Sequence, residues 1–216
     1  MKNRRSFLKE STLATASLIF CGINAKGENN LISSNRMSNN TLTILHGINS
    51  SLLEKNKIKT HFNNLAQNND RSIISIDQLN SQEQYCIVKT TFQTAGIIYS
   101  KHLSKSPNQL IKEINILATE LKEIHNCTIV ICELPYNDHH SFNKIENKIA
   151  YQTANLDLII SNTEKNSYEV YLNKLGQEVY ISHNNIHSND FKQIEFTFNH
   201  LNQKNNIELK NIVLNS

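Results

Sequence analysis

The sequence predicts an α/β domain with a mixed sheet, arranged as two sheets that pack face to face. The apolar run TIVICEL at 128–134 has the composition of a parallel strand covered on both faces, and a second short apolar run, LDLII, lies at 156–160. An amphipathic helical pattern precedes each run, which gives the alternation of helix and strand that parallel units require. After Lys165 the pattern changes to period two, as in FKQIEFTF at 191–198, which is typical of antiparallel strands.

The part of the chain before residue 100 is predicted to contain short strands and one weak helix. Apolar runs at 41–45 and 72–77 indicate two buried strands. The runs at 85–88 and 96–99 are short and apolar, as in a hairpin or in two successive strands of a sheet. A weaker helical pattern lies at 57–68.

The clearest helix is predicted from Pro107 to His125. Its apolar residues follow one another at steps of four, three, four and three, so one face is apolar and the opposite face is charged. Those residues are Leu110, Ile114, Leu117, Leu121 and Ile124. Ser106 is a candidate cap residue, and proline suits the first helical position. A second amphipathic helix is predicted at 142–153.

The residues after Lys165 are predicted to form an antiparallel meander. Its parts are strands at 168–172, 178–182, 191–198 and 207–214, with a turn at 173–176. Parallel units followed by such a meander give a mixed sheet within one domain.

Length and charge restrict the function classes. At 216 residues the chain has the length of one domain with its own core. The formal net charge is +3, and the lysines are scattered singly among acids and asparagines. Because no basic face results, we expect no binding to nucleic acid.

Residues 1–25 have the layout of a twin-arginine export signal. Arg4 and Arg5 are paired, and the uncharged stretch at 11–24 is too short to span a bilayer as a stable anchor. We expect cleavage after Ala25 and a periplasmic location. Two alternatives stay open: a general secretory signal, and a lipoprotein signal in which Cys21 is lipidated. Only the lipoprotein would be held at a membrane.

The expected organisation is a signal peptide at 1–25, a polar linker at 26–40 and a folded domain at 41–216. After the leader, Cys86, Cys127 and Cys132 remain. An odd number of cysteines at irregular spacing argues against a disulfide framework, and none has the spacing of a metal site. We expect Cys127 and Cys132, which bracket a strand, to be small buried thiols.

The run from 127 to 198 resembles the second half of the catalytic domain of the 5'-nucleotidase-like metallophosphoesterases, also called calcineurin-like phosphoesterases. In that family a strand of the TIVIC type ends in a metal-binding His, and a strand of the LDLII type ends in Gly-Gly-His-x-His. A hairpin with N-x-x-G-x-E-V follows. IAYQTANLDLII and NKLGQEVYIS reproduce that succession, and LTILHGINSS stands where the family has a strand ending in Asn-Asp-x-His.

The resemblance implies a truncated α/β/β/α sandwich without the family's second, nucleotide-binding domain. It also implies a chemistry, because exported members commonly use two divalent metal ions bridged by a carboxylate. The two ions hold a phosphate ester and convert a bound water into the nucleophile. Such a centre takes about seven nitrogen and oxygen ligands.

Most of the family's metal ligands are missing from this sequence. Carried over one at a time, the Asp and His of the first motif fall on Asn49 and Ser51. The His after the TIVIC strand falls on Pro135, and the two histidines of the last motif fall on Thr163 and Lys165. The ammonium of Lys165 would repel a divalent cation instead of binding it.

The bridging carboxylate is the single ligand that the chain could retain. Asp77 or its neighbour Gln78 stands at the corresponding strand end, but the Gly-Asp pair itself is missing. The segment that supplies the family's Asn-His-Glu has no counterpart, since the chain passes directly from Leu79 to Tyr85. One carboxylate cannot assemble a binuclear centre, so we predict that the protein has no metal cofactor.

Two other groups of residues have the composition of metal ligands. Asp138, His139 and His140 form a compact cluster, but the polar sequence around them predicts a loop before the second helix. His183 and His187 are four residues apart, which would suit a helix, but SHNNIHSND has the composition of a loop between strands.

The sequence therefore predicts a catalytically inactive, exported relative of the 5'-nucleotidases that acts as a binding or partner protein. Its partner would be an intact paralogous 5'-nucleotidase or a second copy of itself. One alternative is a metal-independent protein whose vacated cleft binds an anion or a nucleotide. The cleft residues would be Asn49, Ser51, Thr163 and Lys165. Another is a residual phosphoric-ester hydrolase that uses Asp138, His139 or His140.

Overall fold

The fold is described by a computed structural model. It describes residues 40–47, 71–76, 82–104, 106–135, 145–163, 166–185 and 191–212, together with Asn64 and Leu79. The strands in these ranges are β1 (Asn40–His46), β2 (Arg71–Ser75), β3 (Tyr85–Lys89), β4 (Thr94–Tyr99), β5 (Ile129–Leu134), β6 (Leu158–Thr163), β7 (Ser167–Leu172), β8 (Glu178–Asn185), β9 (Phe191–Phe198) and β10 (Lys204–Ile212). The helices are α1 (Pro107–Glu123), α2 (Ile145–Gln152) and a 3-10 turn at Ser100–His102.

The strands form two mixed sheets, as the sequence predicts. The first sheet has the order β10-β9-β1-β2, in which β1 and β2 are parallel and the other pairs are antiparallel. The second has the order β3-β4-β5-β6-β8-β7. Its four central strands, β4, β5, β6 and β8, are parallel, while β3 and β7 pair antiparallel at its two ends.

An apolar core holds the two sheets face to face. In the first sheet, Leu42 and Ile44 of β1 and Phe196 of β9 point toward the second sheet, and all three are fully buried. Ile97 and Ile131 of the second sheet meet them. Side chains of a strand alternate between faces, so every second residue of β1 and β9 enters this gap. The predicted face-to-face arrangement is confirmed.

The opposite face of the second sheet is covered by α1 and α2. Ile114, Leu121 and Ile149 of the helices pack on this face in a second core cluster. The helix α1 lies very close to β4, because a Cβ at Gly96 would stand 2.8 Å from a methyl carbon of Leu121. Within the described ranges, no helix combines the length and apolarity needed to cross a bilayer.

Several predicted element boundaries change in the structure. The last strand begins at Lys204, three residues before its predicted start, and β8 continues to Asn185 instead of ending at Ser182. Pro107 occupies the first turn of α1 as predicted, but the Ser106 side chain makes no capping hydrogen bond. The predicted helix at 57–68 lies outside the described residues except for Asn64, which is helical.

The described cysteines are free thiols. Cys127 and Cys132 are buried, as predicted, and Cys86 is partly buried. Burial raises the pKa of Cys127 to about 11 and raises the pKa of Cys132 further. Because the thiolate is the reactive and metal-binding form, these two buried thiols are inert near neutral pH.

Candidate functional site

The carboxyl ends of β1, β5, β6 and β8 meet at one edge of the sandwich. In α/β sheets this edge commonly carries the binding site. Five polar residues of the two sheets, which we call the strand-end cluster, lie here: His46, Asn162, Ser182, Asn184 and Lys192. The topology places them together, because His46 pairs with Lys192 across β1 and β9, and Asn162 pairs with Asn184 across β6 and β8.

His46 links the two sheets at this edge. Its ring is 1% exposed, and its Nε2 lies 2.9 Å from the Ser182 hydroxyl. Its Nδ1 is buried and has no hydrogen-bond partner among the described residues. Burial, and then the nearby ammonium of Lys192, lower the pKa of His46 to about 3. The imidazole is therefore neutral at physiological pH.

Lys192 places a positive charge in the interior of the sandwich. The side chain is 1% exposed, and its ammonium donates a hydrogen bond to the Asn211 amide oxygen. The ammonium also lies 4.3 Å from the centre of the Tyr168 ring. The Tyr168 hydroxyl donates to the Lys210 carbonyl at 2.9 Å. These contacts replace water around the charge, which a buried ammonium requires.

A chain of amides closes the edge beside the histidine. Asn184 Nδ2 donates to Asn162 Oδ1 at 3.3 Å, and Asn162 Nδ2 donates to the Leu134 carbonyl at 3.4 Å. Gly47, directly after β1, has a φ of +83°, and a Cβ on it would stand 2.3 Å from Asn184 Oδ1. The close approach excludes a side chain at this position, so the amide chain packs directly on the backbone of the first sheet.

Two of the residues at the family's ligand positions fall within the described part of the chain. Pro135 follows β5 and is exposed, and Thr163 is the last residue of β6 and is partly exposed. Their strands are neighbours, since Leu134 pairs with Ser161. The other predicted site and leader residues lie outside the described residues: Asn49, Ser51, Asp77, Lys165, Asp138, His139, His140, Arg4, Arg5, Cys21 and Ala25.

The loop predicted at SHNNIHSND is wrong for His183, which belongs to β8 and is 2% exposed. His187 lies outside the described residues. His183 faces the helix layer between two carboxylates. Its Nδ1 lies 3.7 Å from Glu146 of α2, and its Nε2 lies 3.2 Å from Glu169 of β7. The Ser161 hydroxyl donates to the same Glu146 carboxylate. The alternation of side chains along β7 and β8 places His183 and Glu169 on the same face of the sheet. The sequence alone could have indicated this pair only if the register of the two strands had been known.

The described strand ends do not fit a metal centre. The carboxylates of Glu146 and Glu169 approach opposite nitrogens of His183, so the three groups cannot enclose one ion. Across the described ranges, no group of three or more His, Cys, Asp and Glu side chains is arranged to hold a metal ion. The strand-end cluster instead presents amides, one hydroxyl, one neutral imidazole and one ammonium, and a binuclear centre requires several anionic and imidazole ligands.

Comparison with protein-family models and with curated proteins gives no match. Among solved structures, the chain is similar to a 5'-nucleotidase precursor from Thermus thermophilus, with 13% identity and a TM-score of 0.44 over 60% of this chain and 29% of that chain. It is also similar to the NAD nucleotidase of Haemophilus influenzae, with 15% identity and a TM-score of 0.41 over 59% of this chain and 29% of that chain.

A third similar structure is a putative 5'-nucleotidase from Staphylococcus aureus in complex with alpha-ketoglutarate. It has 12% identity and a TM-score of 0.35 over 80% of this chain and 38% of that chain. The present chain spans less than two fifths of the length of each of these three proteins. The similarity is a partial one in fold, and the activities in these names belong to those proteins.

The buried neutral histidine makes a prediction about pH. Unfolding exposes His46, and its pKa then returns to 6.5. At a pH between about 3 and 6.5, the unfolded state therefore binds a proton at this histidine and the folded state does not. The contribution of the neutral His46 to stability is fully present above pH 6.5 and is lost as the pH falls toward about 3. When the pH is lowered from 7 to 5, protonation of this histidine in the unfolded state should lower the free energy of unfolding by about 2 kcal/mol.

Urea denaturation of the wild type and of His46→Gln at both pH values tests this effect. The His46→Gln variant should lose most of the pH dependence in this window, whatever its stability at pH 7. His200→Gln, in an exposed turn, is the matched control and should keep the dependence. An unchanged pH dependence in His46→Gln would contradict the assignment of a neutral buried imidazole.

Proposed function

We propose that this chain is a catalytically inactive, exported relative of the metallophosphoesterases that binds a small anionic ligand at its strand ends without a metal ion. One observation carries the proposal. The strand-end cluster offers amide and hydroxyl donors beside a buried ammonium, at the edge where a binuclear centre would need carboxylates and imidazoles.

The charge at this edge favours an anion. Lys192 contributes, after burial, to the lowered pKa of His46, so its positive charge acts at the end of β1. Thr163 adds a partly exposed hydroxyl at the end of β6. An anion is bound best where hydrogen-bond donors and a positive potential coincide.

The sequence adds further donors close to these strand ends. Lys165 follows Thr163 by two residues, and Asn49 and Ser51 follow β1. An ammonium, an amide and a hydroxyl all donate hydrogen bonds to phosphate or carboxylate oxygens. We therefore propose that Lys165 contacts the ligand directly and that phosphate is the simplest ligand.

The same chemistry does not favour turnover. Hydrolysis of a phosphate ester at neutral pH needs an activated water, which a metal ion or a base with a pKa near 7 provides. His46, with a pKa of about 3, is too weak a base for this purpose. The cluster can hold an anion but supplies no group among its five residues that would activate a nucleophile.

Thermal shift and calorimetry of the purified chain with inorganic phosphate and AMP, in excess chelator, test the proposal. Phosphate should raise the Tm of the wild type without metal. Lys165→Ala should weaken binding about tenfold or more, because a hydrogen bond to a charged group contributes about 1.5–3 kcal/mol.

Lys174→Ala is the matched control for this experiment. Lys174 is exposed in the turn between β7 and β8, at the opposite edge of the same sheet, and its removal should leave phosphate binding unchanged. Absence of any shift with either anion, or an equal shift in wild type and Lys165→Ala, would contradict the proposal.

Export is the second part of the proposal, and the paired Arg4 and Arg5 support it. A reporter that folds in the cytoplasm, fused behind residues 1–40, should reach the periplasm. Replacement of both arginines by lysine should block export if the twin-arginine route is used. Unimpaired export of that variant would instead indicate a general secretory signal.

A further inference from the structure

The strand β7 is an unusual edge strand, because its only charged side chain lies against a buried histidine of the neighbouring strand. Among the described strands that end a sheet, β2 carries Arg71, β3 carries Lys89, and β10 carries several charges. Charged side chains on an edge discourage pairing with another chain. In β7 the only charge is Glu169, and that side chain turns inward to His183.

The backbone of β7 leaves alternate residues facing the edge that no other described strand pairs with. Across the turn, the Asn173 N–H donates to the Gln177 carbonyl at 2.9 Å, and the register then continues along β7 and β8 without a shift. In an antiparallel strand the backbone groups of successive residues point to opposite sides. The odd-numbered residues of β7 therefore bond to β8, and the even-numbered ones direct N–H and C=O groups outward. The latter are Tyr168, Val170 and Leu172.

The same even-numbered residues form an apolar row. Val170 is 53% exposed and Leu172 is 61% exposed. Tyr168 precedes them on the same face of the strand and is partly covered by Lys192. An exposed apolar row beside outward-facing backbone groups is the surface that strand addition uses.

The sequence of β7 is complementary to itself about Val170. When two copies pair antiparallel around this residue, valine meets valine and Tyr168 meets Leu172. Glu169 then meets Tyr171, a phenol that already donates to Glu169 at 2.7 Å within one chain. No like charges face each other. Centring the pair on Glu169 would instead place two carboxylates opposite one another, which destabilises a sheet.

We propose that this protein forms a two-fold symmetric dimer by antiparallel pairing of β7 with β7 of a second copy, centred on Val170. The pairing joins the two six-stranded sheets into one continuous sheet. It satisfies the outward backbone groups of both strands and brings the apolar rows together on one face. An interface of this kind is isologous, since each copy offers the same surface.

Sedimentation velocity of the purified chain over a wide concentration range tests the dimer. Val170→Lys places two ammoniums opposite each other and should weaken dimerisation about tenfold or more. Ile116→Lys is the matched control, because Ile116 is also 53% exposed but lies on α1. It should leave the dimer intact. Circular dichroism of both variants checks that they remain folded.

Cysteine cross-linking tests the register. With Val170→Cys, the two introduced thiols lie opposite each other and should form an intermolecular disulfide on mild oxidation, above the wild-type background. With Leu172→Cys, the two thiols are four residues apart along the strands, about 13 Å, which is beyond the reach of a disulfide. A monomer at every concentration, a dimer unaffected by Val170→Lys, or equal cross-linking of both cysteine variants would overturn the proposal.

Discussion

The structure depends on the alternation of side chains along the strands that face each other between the two sheets. In β1, Leu42 and Ile44 enter the gap, and the same alternation brings His46 into it at the strand end. In β9, Phe196 and Ile194 enter the gap, and Lys192 continues the same row at the start of the strand. Two titratable side chains are therefore buried because of their position in apolar rows, and their interactions must compensate for the lost water.

The environments of His46 and Lys192 determine which ligands this edge of the sandwich can bind. His46 remains neutral and bonds to Ser182, while the Lys192 amine lies near an amide oxygen and an aromatic ring. A neutral imidazole beside an ammonium is a poor place for a divalent cation, since the ammonium repels it. The same combination suits an anion, which is why we interpret the strand ends as a binding site.

Much of the fold is predictable from the sequence, since its signals are local. The apolar runs of β5 and β6, the helical period of α1 and the period two of β9 fix these elements directly. His183 is different, because the polar run SHNN predicts a loop. The strand continues there because Ser161 and Asn162 of β6 pair with His183 and Asn184.

The strand-end cluster is not predictable from local patterns. Its contacts join residues that are far apart in sequence, such as His46 and Ser182, and they require the sheet order and register. The resemblance to the metallophosphoesterases directs attention to the edge where Pro135 and Thr163 end neighbouring strands. It could not indicate Lys192 or Tyr168, which are absent from the family's ligand motifs.

Metal content and phosphatase activity, measured together, test the central claim most directly. Elemental analysis of the purified chain would be combined with assays on bis-(p-nitrophenyl) phosphate and AMP in added Mn²⁺ or Zn²⁺. Our account predicts no stoichiometric metal and no turnover above the rate of the uncatalysed reaction. Stoichiometric metal together with turnover would contradict it and would show that other residues have rebuilt a catalytic centre.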